Sequence, residues 1–164
     1  MKDTDGKARK PGMDALFHTH EEIVDCLRRA GKTLGENFIS PACLDLMAGR
    51  FTGYGPGVFL SCVFTPQRSF ANPLGFVQGG MLMAAFDNVF GPFSILESGL
   101  AAVTLELNAS FLRPLPVGDG PFEIGVRLVE KSRGFLVMEG EARTAGKALA
   151  ARAYTRMFFV GEVR

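Results

Sequence analysis

The chain has 164 residues, 47% of them hydrophobic, including 15 Phe and 7 Met, enough apolar material for the core of one ordinary domain without metal or disulfide staples. A formal net charge of +1, with the basic residues scattered and not interleaved with aromatics, leaves no nucleic-acid footprint. Cys26, Cys43 and Cys62, odd in number and without a CxxC pair, rule against a disulfide framework and are expected as buried, inert thiols of a reducing compartment.

In chain order, MKDTDGKARKPG is polar and charged, so residues 1–12 read as a flexible tail. No apolar signal-peptide core follows it, and no segment approaches the roughly 20 apolar residues of a membrane span; a cytoplasmic protein without a membrane partner is expected. Asp14 can cap a peripheral helix that runs to about Ala30 and ends at Gly31. Pro41 starts a short helical stretch through Ala42, Leu44, Leu46 and Met47 that ends at Gly49. Gly53, Gly55, Pro56 and Gly57 mark a turn between two strand candidates, the second being Val58 to Thr65.

The longest helix candidate runs from about Gly79 to Glu97. Between Gly80 and Phe90 its only charged residue is Asp87, set among Met81, Leu82, Met83, Ala84, Ala85, Phe86, Val89 and Phe90. A helix apolar all round is expected to be central and buried. At three- and four-residue spacing Asp87 shares a face with Gly80, Met83, Ala84 and Gly91, where small side chains leave room for a ligand. Burying an unpaired carboxylate costs several kcal/mol, so Asp87 needs a raised pKa, hydrogen-bond donors or an opening to a cleft. The plainer alternative is a partnered structural Asp on a half-exposed helix.

Beyond the helix, Ala101 to Leu112, Pro121 to Glu130, Phe135 to Thr144 and Ala148 to Phe159 are strand-length, and Gly- and Pro-rich turns separate them. Thr104, Glu106, Asn108 and Ser110 alternate with Val103, Leu105, Leu107 and Ala109, which predicts one polar and one apolar face. One long helix followed by an antiparallel meander gives an α+β class. The helix, roughly 28 Å long at about 1.5 Å per residue, is the sheet's natural cover.

Four pieces of sequence stand in order: Asn72, then Gln78-Gly79-Gly80, then Asp87, then Val103-Thr104-Leu-Glu-Leu-Asn108-Ala-Ser-Phe111-Leu-Arg-Pro114. Together with the layout, this pattern resembles the hotdog-fold acyl-CoA thioesterases, in particular the PaaI-type branch related to phenylacetate-pathway enzymes. The match runs from about Val58 to the C-terminus. It implies a single hotdog domain over 13–164 with an N-terminal helical extension, an antiparallel sheet wrapped around one long central helix. It also implies hydrolysis of an acyl-CoA, no cofactor, and an obligate homodimer, often paired into a tetramer, with Asn72 and Gly79 facing Asp87 and Thr104 of the partner subunit. Where the family usually carries His, this chain has Gln78, which can donate and accept hydrogen bonds but cannot carry a proton near neutral pH.

By that resemblance the Gly79 N–H is the oxyanion donor and Asp87 the general base, or a nucleophile forming a mixed anhydride. Thr104 orients the water or the carboxylate, and Asn72 positions the water or the substrate. Gln78 and Gly80 border the substrate, and Met83, Phe86 and Phe90, with Phe76 and Phe93, are candidates for an apolar acyl pocket. Arg113, Lys131 and Arg133 are the cations available to CoA phosphates. Each residue also has a plainer reading: Thr104 as a β-branched strand residue, Asn72 as a turn residue before Pro73, Gly79-Gly80 as a tight turn, the aromatics as core and the cations as solvated. Related hotdog dehydratases rely on a catalytic His. The only histidines here, His18 and His20, lie outside the matching segment and face different ways on a helix, so neither dehydration nor a metal site is expected. A non-catalytic acyl-CoA binding or sensing module, and a thioesterase acting on an acyl-carrier-protein thioester, are the competing readings.

Overall fold

A computed structural model describes residues 16–17, 19–31 and 42–160. The expected tail over 1–12, and Asp14, His18 and Pro41, lie outside the described residues.

Helix α1 spans His20–Gly31 and starts later than Asp14 would have set it. The Phe17 backbone exchanges hydrogen bonds with Tyr54, at 3.0 and 2.9 Å, and so cannot be helical. The start is a reciprocal cap: the Glu22 N–H donates to Thr19 Oγ1 and the Thr19 N–H to Glu22 Oε2. Helix α2 (Ala42–Leu46) leads into β1 (Gly49–Gly55) and β2 (Phe59–Phe64), and a 3-10 turn at Arg68–Phe70 precedes α3 (Gly79–Ser98). Helix α3 closes on Gly99 in the left-handed region, φ 68°, with its N–H donating to Ile95 O. Strands β3 (Ala102–Phe111), β4 (Phe122–Lys131), β5 (Phe135–Arg143) and β6 (Leu149–Phe159) follow, within a residue of the sequence expectation at each end.

All six strands pair antiparallel in the order β1-β2-β4-β5-β6-β3, and α3 touches β2, β3, β4, β5 and β6. This is the expected α+β hotdog arrangement of one sheet on one long helix. Phe86, Val89, Phe90 and Phe93 of α3 are fully buried against Leu60, Cys62, Ile124, Leu136 and Met138 of the sheet. Gly140 lets them approach: a Cβ there would stand 3.0 Å from Val126, 3.2 Å from Phe86 and 3.2 Å from Phe90. Phe86 and Phe90, expected as pocket residues, are therefore core, because their rings point into the sheet.

The opposite side of α3 corrects the expectation of an all-round buried helix. Asp87 and Gly80 are exposed, Met83, Ala84 and Gly91 half-buried, and a Cβ on Gly80 or Gly91 would meet no atom within 4 Å. The small-residue face is open, as its composition suggested, but the carboxylate on it is not buried.

Strand β3 also departs from strict alternation. Thr104 pairs with Met157 and Glu106 with Arg156, so Leu105 is a bulge. The extra residue puts Thr104 on the helix side with Ala102, Leu107 and Ala109, and leaves Val103 and Leu105 45% and 52% exposed at an open sheet edge.

Edge strand β1 is covered by Phe17 and by His20, whose Nδ1 accepts the Phe51 N–H at 3.1 Å and whose ring stacks on Phe51. Burial first, then the Arg50 guanidinium, holds the His20 imidazole below its ordinary value of 6.5. The unfolded chain therefore takes up this proton first. The stabilisation is full above about pH 6.5 and is lost as pH falls from there through the lowered folded value. The Tm advantage of the native chain over His20→Gln should shrink between about pH 7 and 5; parallel curves would show that His20 does not titrate with unfolding.

Of the cysteines, Cys62 is buried, its thiol pushed up by burial, and Cys26 is half-buried. Cys43 is exposed, contrary to expectation, because the short α2 turns only Leu44 fully inward; the Asn88 amide donates to the Cys43 sulfur.

Candidate active site

The start of α3 is held by the loop before it. Asn72 Oδ1 accepts the Leu74 and Phe76 N–H groups at 2.9 and 3.1 Å, and the Asn72 N–H donates to Phe76 O. Val77 N–H donates to Leu115 O, and Gln78 N–H to Phe70 O. Gln78 is the N-cap, extended at φ −64° and ψ 139°, and its exposed side chain makes no capping bond. The N–H groups of Gly79 and Gly80 thus open the helix with no acceptor among the described residues. At the positive end of a 20-residue helix they suit an oxygen that gains negative charge.

Gly79 borders a pocket of about 350 Å³, lined also by Asn72, Phe76, Val77, Leu82 and the 111–115 segment. Asn72 does serve as a turn residue; with Oδ1 committed to the loop, its amide nitrogen is the group left to meet a ligand. Arg113 lines the same pocket. Lys131 does not: its Nζ donates to Glu97 O at 2.6 Å, and Glu97 lies eighteen residues beyond Gly79, roughly 27 Å along the helix. Arg133 sits in the exposed turn after β4. Of the three expected cations the chain brings one to the Gly79 end.

Asp87 lies two turns further along α3, and Thr104 Oγ1 donates to its Oδ1 at 2.9 Å. The bulge at Leu105 makes this contact available, since strict alternation with Glu106 would have turned Thr104 to the other face. Asp87 Oδ2 has no partner among the described residues. Met83, half-buried one turn before Asp87, lies on the same open face.

The structure thus brings together two pairs, Asn72 with Gly79 and Asp87 with Thr104, but does not join them within the chain. Eight residues of helix separate Gly79 from Asp87, about 12 Å of axial rise. The pocket's apolar walls, Leu82, Phe111 and Leu115, lie outside the set of residues the sequence points to as site residues. Phe111 stands in the motif that carried the resemblance, and that was the available signal.

Elsewhere, a hollow of about 520 Å³ on the outer sheet face is lined by charges that pair with one another: Arg127 with Glu139, and Glu141 with Arg143 and Arg152. The hydrogen bond from Arg143 holds the Glu141 carboxyl below its usual range. No group of three His, Cys, Asp or Glu side chains suited to a metal occurs among the described residues, and no helix among them is long and apolar enough to cross a membrane.

The family model of the thioesterase superfamily matches residues 74–151, a span holding Gly79, Asp87 and Thr104. A phenylacetic acid degradation-related protein of Ralstonia eutropha is 31% identical, with a TM-score of 0.67 over 79% of this chain and 98% of that one. The PaaI protein of the Escherichia coli phenylacetic acid degradation operon is 19% identical, with a TM-score of 0.72 over 85% of this chain and 97% of that one. A Streptococcus mutans protein bound to acetyl-CoA is 24% identical, with a TM-score of 0.64 over 70% of this chain and 90% of that one. No curated protein matches the chain.

Proposed function

Because this chain belongs to the thioesterase superfamily, we propose that it is an acyl-CoA thioesterase whose site combines the Gly79 N–H of one subunit with Asp87 of a second copy. Water adds to the thioester carbonyl carbon, the C–S bond breaks, the acyl group leaves as the free acid and the sulfur leaves as the CoA thiol. The observation that carries this reading is the exposed Asp87 carboxylate, held through Oδ1 by Thr104 on a face of small residues.

The chemistry follows from the groups available. The Gly79 N–H receives the carbonyl oxygen as it becomes an oxyanion, aided by the helix dipole. Asp87, with Oδ2 open, either takes the proton of the attacking water or attacks the carbonyl itself to form a mixed anhydride that water then cleaves. Thr104 donates to the carboxylate and so orients it, not the water. Asn72 builds the loop that carries Gly79 and offers its amide N–H to substrate or water. Gln78, exposed beside Gly79, can position but cannot relay a proton. Arg113 is the one of the three cations at the Gly79 end, and its exposed side chain can meet a CoA phosphate only outside the pocket.

The second copy enters from geometry. A reacting carbonyl must lie roughly 3 Å from both its oxyanion donor and its attacking group, and two groups about 12 Å apart on one straight helix cannot both meet that demand. The open edge of β3, with Val103 and Leu105 exposed, is an unpaired strand suited to meeting the same strand of another copy.

The test is thiol release from acetyl-, hexanoyl-, dodecanoyl- and phenylacetyl-CoA by the native chain. Turnover of at least one ester is expected. Binding of an acyl-CoA with no turnover of any would replace the enzyme with a binding module, and turnover confined to an acyl-carrier-protein thioester would change the carrier.

A further inference from the structure

Gly79 meets one side chain closely. A Cβ built on it would stand 3.2 Å from Phe111 Cζ and 3.3 Å from Cε2, so the Phe111 ring rests on the Gly79 Cα. That ring comes from the last residue of β3, opposite Ala151, and is 51% exposed in the single chain. It is not core in the manner of Phe86 or Phe90. Its neighbours around the pocket are set by other means: Leu82 is buried in the first turns of α3, Val77 and Leu115 share a backbone hydrogen bond, and Pro114 has a fixed ring. Phe76 is half-buried and Leu112 exposed in the same lining, but the atoms that a Cβ on the donor glycine would meet first, within 4 Å, all belong to Phe111.

We propose that Phe111 selects the size of the acyl group: its ring is the apolar wall that seats the acyl chain beside the Gly79 N–H and limits how much chain fits. The inference rests on the thioesterase reading above and assigns the acyl end of the substrate to the 350 Å³ pocket. Two physical consequences follow. An acyl chain that fits gains contact with the ring face, and the ring excludes water from the donor, where a drier setting strengthens the hydrogen bond to an oxyanion. A chain that is too long must displace the ring from its seat on Gly79.

The test is the ratio of kcat/KM for dodecanoyl-CoA to that for acetyl-CoA, measured on one preparation so that any loss of active protein cancels. Phe111→Ala should raise this ratio about tenfold or more, in the range that pocket contacts with apolar groups provide. Phe111→Tyr should leave it near native, and Phe111→Leu should fall between. A ratio in Phe111→Ala and Phe111→Leu within about twofold of native would overturn the assignment, whatever happens to the absolute rates. Non-hydrolysable thioether analogues of the two esters separate this proposal from the reading beneath it. If the native chain releases no thiol, hydrolysis fails, while the same shift in the ratio of Kd values would still show Phe111 setting chain length.

Discussion

Asp87→Asn should lower thiol release at least about 100-fold on every acyl-CoA that the native chain hydrolyses, the range expected for loss of an acid-base or nucleophilic group. The substitution is nearly isosteric, and the Asn carbonyl can still accept from the Thr104 hydroxyl that now donates to Oδ1. Asp87 is exposed and its one contact with the sheet, the Thr104 hydrogen bond, is kept by Asn, so the Tm should stay within the small range of surface substitutions. Substrate binding should change little, since the carboxylate acts on the reaction and not on the bound ester, and the loss should appear in kcat. A variant that keeps its Tm and most of its kcat would remove Asp87 from the chemistry and leave its bond to Thr104 as a structural pair.

At the other end of α3, Gly79→Pro and Gly79→Ala should differ sharply. Gly79 is the first residue of the helix, after an extended Gln78, which is the position and the preceding conformation that proline tolerates. Proline there removes the N–H and little else from the helix. The expected loss is about 100- to 1,000-fold, that of an oxyanion donor. Alanine keeps the N–H and adds a Cβ that meets the Phe111 ring at 3.2 Å, which the ring can relieve by moving a few tenths of an ångström. Gly79→Ala should therefore lose less than about tenfold, well short of the donor's own worth. Equal losses in the two variants would show that space beside Gly79, and not its N–H, is what the reaction needs.

The extent to which the sequence disclosed this arrangement follows from where its signals are local. The boundaries of β3 to β6 and of α3 were legible because Gly and Pro turns bracket alternating segments, and a glycine pair opens the helix. The inner or outer placement of Thr104 was not. It depends on Leu105 bulging against β6, and no Gly or Pro marks that bulge. Nor was the exposure of Asp87, since apolar residues on every side of a helix suggest burial. Gly80, Ala84 and Gly91 carried the truer signal, a face kept thin. Phe86 and Phe90 sit one and three residues from Asp87 and share its neighbourhood in sequence, yet point into the sheet at Gly140, a contact across fifty or more residues. The start of α1 was set by a Thr19–Glu22 cap and by a strand pairing to Tyr54 that local spacing does not reveal. Lys131 could be seen as a cation on a loop, but its use on the C-terminal carbonyls of α3 depends on the fold.

A site divided between two copies is tested most directly by mixing two inactive variants. Asp87→Asn and Gly79→Pro chains, each unable to release thiol alone, are co-expressed in equal amounts and purified together without sorting the pairs. Every mixed pair then holds one site built from the native Gly79 of one chain and the native Asp87 of the other, so random pairing should restore about a quarter of native activity. Restoration near that level is the predicted result. No recovery in an assembly shown to contain both chains would contradict the shared site, and with it the placement of Gly79 and Asp87 around one carbonyl.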